Sequence, residues 1–182
     1  MTKLETLKEM LNEATRESNK LSEEKDRLLW SYRGRNLSHE EFTKQRQLLT
    51  ARQRELSSRI EELRFQVLLE ELKDQLAKNR YVIIHIRSLT APITGAPQVL
   101  AECLKLPCQH DFNLIKYIED MRKTDKIRAE QFATNLLSVF RECQNNDGGS
   151  IGYREIPFRC QHCGKPYAIC LEVKPIPKEP AQ

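Results

Sequence analysis

Leu4, Leu7, Leu11, Ala14, Ser18, Leu21, Lys25, Leu28 and Tyr32 follow one another at alternating steps of three and four residues. Such spacing keeps one face of a helix turned toward a single neighbour and reads as a heptad seam. Phe42, Arg46, Leu49, Gln53, Leu56, Ile60, Leu63 and Val67 repeat the pattern. Between the runs lies Leu37-Ser38-His39-Glu40-Glu41-Phe42. Ser38 is an N-cap type, Glu41 completes a capping box, and Leu37 and Phe42 have the spacing of a hydrophobic staple. The chain is therefore predicted to turn back here as an antiparallel coiled-coil hairpin over residues 1–78.

A fold near residue 35 makes partners whose numbers sum to about 70. Leu28 then meets Phe42, Leu21 meets Leu49, Ala14 meets Leu56, and Leu7 meets Leu63, with Leu11 near Ile60 and Leu4 near Val67. The polar seam positions also match, Ser18 with Gln53 and Lys25 with Arg46. A polar residue facing a polar one leaves neither group dry and unpaired, which favours an intramolecular hairpin over a parallel dimer. Lys25 and Arg46 have long stems that carry their charges out to water.

The tip, Trp30-Ser31-Tyr32-Arg33-Gly34-Arg35-Asn36, holds the only tryptophan of the chain. Gly34 is the residue suited to a positive-φ helix terminus. Trp, Tyr and Arg are enriched at binding hot spots, so Trp30, Tyr32, Arg33 and Arg35 are candidate contacts for a protein partner. Beyond the seam, Phe65, Leu68, Leu69, Leu72 and Leu76 form a rotated apolar stripe, expected to dock on the domain that follows.

Residues 80–175 read as a separate α+β domain. Tyr81-Val82-Ile83-Ile84-His85-Ile86 is rich in β-branched residues and reads as a buried strand, with His85 packed rather than ligating. Ala91 to Pro97 is a loop by its punctuation. Residues 98–106 alternate weakly and fit either a strand or two helical turns. Residues 113–143 are helical, with Thr124 a candidate cap if the segment divides. Two strands flank Cys160-Gln161-His162-Cys163-Gly164, and the proline-rich residues 176–182 read as a flexible tail.

The composition sharpens this picture. Charged residues make up 31% of the chain, above the usual share of about 25% and in keeping with long solvated helices. The net charge is +4, of which residues 1–78 carry +1, so neither part has the dense basic patch of a strong nucleic-acid binder. No apolar run approaches the ~18 residues of a transmembrane helix, and the first residues lack the apolar core of a signal peptide. All six cysteines lie at or after Cys103. A cytoplasmic, reducing location with thiols serving a metal is the expectation, rather than a disulfide framework.

Cys160-x-x-Cys163-Gly presents two sulfurs on one side of a tight turn. Tetrahedral zinc needs two more donors, and Cys108-x-His110, after Pro107 and just before a predicted helix, is the best second pair. Cys103, Cys143 or Cys170 could replace one of these, and His162 is expected to point outward. Four protein ligands close the coordination sphere, so one structural zinc ion is expected and a zinc hydrolase, with its open position, is disfavoured. The knuckle resembles those of zinc ribbons over residues 106–112 and 156–173, which implies a small zinc-ribbon-like head with helices inserted between its ligand pairs.

A helical hairpin followed by a globular head is also similar in architecture to bacterial factors that enter the RNA polymerase secondary channel, some of which carry zinc and acidic tip residues. This chain departs from them in its tip arginines and its zinc spacing. The functional expectation is a non-enzymatic adaptor or regulator that binds another protein through its hairpin. The alternative is a nucleic-acid contact through Arg122, Lys123, Lys126 and Arg128.

Overall fold

The computed structural model describes residues 2–78, 82–89, 98–145 and 154–173. Tyr81, the predicted loop from Ala91 to Pro97 and the tail 176–182 lie outside them. Two long helices come first, α1 (Lys3–Arg33) and α2 (His39–Lys78). A four-stranded antiparallel sheet of order β2-β1-β6-β5 is built from β1 (Val82–Ser88), β2 (Gln98–Val99), β5 (Arg154–Arg159) and β6 (Pro166–Val173). Between its halves come a hairpin, β3 (Cys103–Lys105) and β4 (Asp111–Asn113), and two helices, α3 (Leu114–Thr124) and α4 (Lys126–Asn145). The chain forms two compact units, 1–70 and 71–182, and the division falls within α2.

In the first unit, the buried residues of α1 are Leu7, Ala14, Leu21 and Leu28, one per heptad. Leu7, Ala14, Leu56, Ile60 and Leu63 form one apolar cluster, flanked by Leu11 and Val67. The antiparallel register is marked by cross-helix polar contacts. Gln53 Nε2 donates to Ser18 Oγ at 3.0 Å, Arg52 pairs with Glu17 at 2.8 Å, and Lys3 pairs with Glu70 at 2.8 Å. Lys25 is half-buried and Arg46 exposed.

The corner forms as its residues predict. Glu41 N–H donates to Ser38 Oγ at 3.2 Å, and Ser38 N–H reaches Glu41 Oε2 at 3.3 Å. A second capping box, Thr2 with Glu5, starts α1. The end of α1 differs from expectation: Gly34 has φ −74°, and the positive φ, +60°, belongs to Arg35. Asn36 N–H donates to Ser31 O, and Arg35 N–H to Tyr32 O, both at 3.0 Å. These are the two bonds of a Schellman terminus, which places the left-handed residue one position beyond the glycine.

In the second unit, Tyr167, Ala168, Ile169, Cys170 and Leu171 of β6 are all buried. A strand buried on successive residues is covered on both faces, and β6 also has both edges paired, by β1 and β5. Val82, Ile84 and Ile86 of β1 are buried as well, and His85 stands opposite Cys170. Leu72 and Leu76 of the late α2 stripe are buried, and Glu71 lies 3.3 Å from Arg141 of α4.

The ambiguous stretch 98–106 resolves into β2 and β3, tied together by the Gln98 side chain, which bonds both the N–H and the carbonyl of Lys105. The predicted helical region divides at Asp125. That residue caps α4 through Arg128 N–H at 3.0 Å, a role the sequence assigned to Thr124, whose hydroxyl instead donates to Met121 O. A carboxylate one residue later reaches the orphan N–H groups that the Thr124 hydroxyl has turned away from.

Candidate metal centre

Two turns build the site. The β3–β4 turn carries Leu106-Pro107-Cys108-Gln109-His110, closed by Leu106 N–H to His110 O at 3.0 Å and Gln109 N–H to Leu106 O at 2.8 Å. Gln109 takes φ +64° at its tip. The second pair of donors thus sits on a strand turn, and β4 separates it from the helix predicted to follow directly. The β5–β6 turn carries Cys160 to Lys165, closed by Cys160 N–H to Lys165 O at 3.0 Å and Gly164 N–H to Cys160 O at 2.9 Å. Gly164 has φ +67°, the conformation its lack of a Cβ allows.

The two turns bring Cys108, His110, Cys160 and Cys163 together, with no two donor atoms more than 4.8 Å apart. Cys108 Sγ lies 3.8 Å from Cys160 Sγ, and His110 Nδ1 lies 3.6 Å from Cys160 Sγ. A tetrahedral ion about 2.3 Å from sulfur and about 2.0 Å from nitrogen sets neighbouring donors roughly 3.5–3.8 Å apart. Both measured separations match tetrahedral edges, and 3.8 Å is far too long for a disulfide. The cluster could therefore hold a metal ion.

The protonation energetics show why a cation suits it. Burial pushes the Cys108 thiol up, but hydrogen bonds from the Tyr167 hydroxyl, from His110 and from Cys160 outweigh that and bring its pKa down to about 6. Cys163 receives the Lys165 N–H, which favours its thiolate, yet burial and the adjoining Cys160 and Cys108 sulfurs push its pKa up overall. Negative charges brought this close repel one another, and a bound divalent cation would remove that penalty. Tyr167 is raised by its bond to Cys108 and by burial, so it stays a neutral donor.

Around the donors, His162 is exposed and its ring centroid lies 5.0 Å from that of His110. Gln161 reaches Asp120 of α3 at 3.4 Å. Beneath them is an aromatic cluster, with Phe112 and Phe158 at 4.5 Å and Phe112 and Tyr117 at 5.2 Å. Cys170 is buried in β6, and Cys103 is exposed on β3 within 3.5 Å of Asn113 Nδ2. Neither belongs to the four-residue cluster. The side chain of Cys143 lies outside the described residues. Sequence reasoning missed Tyr167, because a tyrosine in an apolar strand reads only as core.

The other candidate residues fall elsewhere. Trp30 is 68% exposed, and the Arg33 guanidinium lies 5.6 Å from its ring. Tyr32 turns into the corner, stacked on Phe42 at 4.2 Å with its hydroxyl 3.1 Å from His39 Nδ1. Arg35 is exposed. Beside the corner, a groove of about 420 Å³ is lined by Leu28, Leu37, Leu48 and Leu49, with Glu24 and Arg27 among its polar residues.

Arg122, Lys123, Lys126 and Arg128 gather where α3 passes into α4. Lys123 is paired with Asp120 at 2.6 Å, while Lys126 and Arg128 are exposed. No described helix is long and apolar enough to cross a membrane. Compared with known protein families, characterised proteins and solved structures, the chain matches none.

Proposed function

We propose that this chain is a non-enzymatic adaptor or regulator that binds another protein through the corner of its helical hairpin, and that one structural zinc ion holds its second unit together. The observation that carries the binding role is the exposure of Trp30 at 68%, together with Leu48 at 64%, beside the leucine-lined groove. Large apolar side chains left in water next to a concave apolar surface are the usual signature of a recognition site. Zinc suits three thiolates and an imidazole in a tetrahedron, and four protein donors leave no position for a substrate or an activated water. The zinc-ribbon likeness of the two turns supports the same reading, and a reducing, cytoplasmic location is part of this proposal.

The test uses the full chain immobilised beside a Trp30→Ala/Leu48→Ala variant, with retained proteins compared at low and moderate salt. The expected result is a salt-resistant partner held by the unaltered chain and lost from the variant, with equal helicity by circular dichroism. Equal retention by both removes the corner from the reading. Metal content by mass spectrometry should give about one zinc per chain.

A nucleic-acid role would rest on Lys126 and Arg128, which flank Ile127, 71% exposed. Asp120 and Asp125 intervene among these cations, and Lys123 is already paired, so the local field is mixed. Binding that weakens steeply as salt rises, and that fails when Lys126 and Arg128 become alanine, would favour this alternative.

A further inference from the structure

We infer that the leucine-lined groove at the hairpin corner receives an amphipathic helix of the partner protein; this rests on the binding role proposed above and names what fills the site. Two rows of side chains frame the groove. Glu24, Arg27, Leu28 and Ser31 come from α1, and Gln45, Leu48 and Leu49 from α2. Each row advances by steps of about a helical turn, so each follows one ridge of its helix and the groove runs along the pair. Glu24 to Ser31 spans about two turns, or roughly 10 Å. Leu37 lines the corner end. Glu17 and Arg52 lie one heptad farther from the corner than Glu24 and Gln45, hence on the same face, and their 2.8 Å ion pair bridges the helices there.

The floor selects a helix. Leu28, Leu48 and Leu49 carry no hydrogen-bonding group, and the main chain beside them is bonded within α1 and α2. An extended segment laid here would bury N–H and C=O groups with nothing to pair them, whereas a helix satisfies its own. The rim selects the charges. Glu24 and Arg27 are both exposed and stand one turn apart on the α1 side. Arg27 reaches Glu23 of its own helix at 3.4 Å, an exposed pair that holds it weakly. A partner helix with a cation opposite Glu24 and an anion one turn along, opposite Arg27, answers both. On the α2 side the exposed Leu48 calls for an apolar stripe broad enough to cover it.

The test is selection of displayed random peptides of about 14 residues, long enough for some four helical turns, on the immobilised full chain. Sedimentation velocity of the unaltered chain runs beside it, and circular dichroism checks that each variant keeps its helicity. The expected result is a peptide family with large apolar residues at i, i+3, i+4 and i+7, bound at least about tenfold more weakly by Leu48→Asp. Selection on the paired change Glu24→Arg with Arg27→Glu should return the same spacing with the flanking charges exchanged. Flanking charges that stay as they were would overturn the proposed complementarity. Peptides with apolar residues at every second position, or with no period, would overturn the helix and leave the corner's binding role standing. Peptides that bind Leu48→Asp undiminished and fail on Trp30→Ala would do the same. Self-association of the unaltered chain that Leu48→Asp abolishes would also overturn it, the groove then being filled by a second copy. No enrichment over a bare surface would overturn the groove's role, while partner retention by the full chain decides the binding role separately.

Discussion

Arg35 stands where the backbone has the form that glycine adopts most easily. Its φ of +60° costs a residue with a Cβ about 1–2 kcal/mol. Arg35→Gly is therefore expected to stabilise the hairpin by about 1 kcal/mol in chemical denaturation. Gly34 is the reverse case. Its φ of −74° suits any residue, and an added Cβ would lie 3.3 Å from the movable Asn36 amide. Gly34→Ala should be neutral or slightly stabilising, by up to ~1 kcal/mol, through the unfolded chain. Gly164 combines open space around a notional Cβ with φ +67°. Gly164→Ala should cost about 1 kcal/mol from backbone strain alone and weaken metal retention, measured by chelator competition. Residue type identified Gly164 correctly, because a knuckle allows few alternatives. It misassigned Gly34, because a helix can end one residue earlier or later at little cost.

The two long helices owe their register to a few positions. Ala14 is 1% exposed between the helices, so Ala14→Leu should destabilise the hairpin by ~1–3 kcal/mol through overpacking. Gln53 bonds Ser18 within the seam at 3.0 Å. Gln53→Ala should cost about 1 kcal/mol by leaving the half-buried Ser18 hydroxyl without that donor. Replacing both Ser18 and Gln53 by leucine should instead raise the unfolding midpoint. The same double change should loosen register and association state, which sedimentation would report, because a matched polar layer penalises slipped pairings. These pairings were legible in the sequence, since a short corner and a seven-residue repeat leave one antiparallel alignment that matches apolar with apolar and polar with polar. The division of α3 from α4 was half legible. Asp125 rather than Thr124 caps α4, a choice between adjacent residues that propensity alone separates poorly.

The Cys108, His110, Cys160 and Cys163 cluster joins two turns that are far apart in the chain, and β1 reaches across to pair with β6. In the whole molecule, metal removal is therefore expected to act unequally. A strong chelator should abolish hydrogen-exchange protection in 98–113 and 154–173, while the 3–70 amides of α1 and α2 keep theirs. Helical circular dichroism should fall only in part, and re-addition of zinc should restore it. Loss of protection throughout would show that the two compact units unfold as one. Unchanged protection everywhere would show that the cluster contributes no stability as a metal site. If the units respond differently, a single unfolding midpoint describes neither of them.

Local repetition and local chemistry determined much about this protein by themselves. The heptad steps, the Ser38–Glu41 box and the Cys160-x-x-Cys163-Gly turn are short-range patterns, each with few physically acceptable conformations. They were enough to specify the hairpin, its register and half of the Cys/His cluster, and the choice of Cys108 and His110 as the other half followed from the four donors a tetrahedral ion would need. The sheet order β2-β1-β6-β5, the hairpin form of the turn that carries Cys108 and His110, and the meeting of that turn with Cys160 and Cys163 were decided only by tertiary structure. Such contacts join residues whose separation in the chain carries no periodic signal. They form because strand pairing and burial reward such contacts only once distant parts of the chain have come together, which no local pattern encodes.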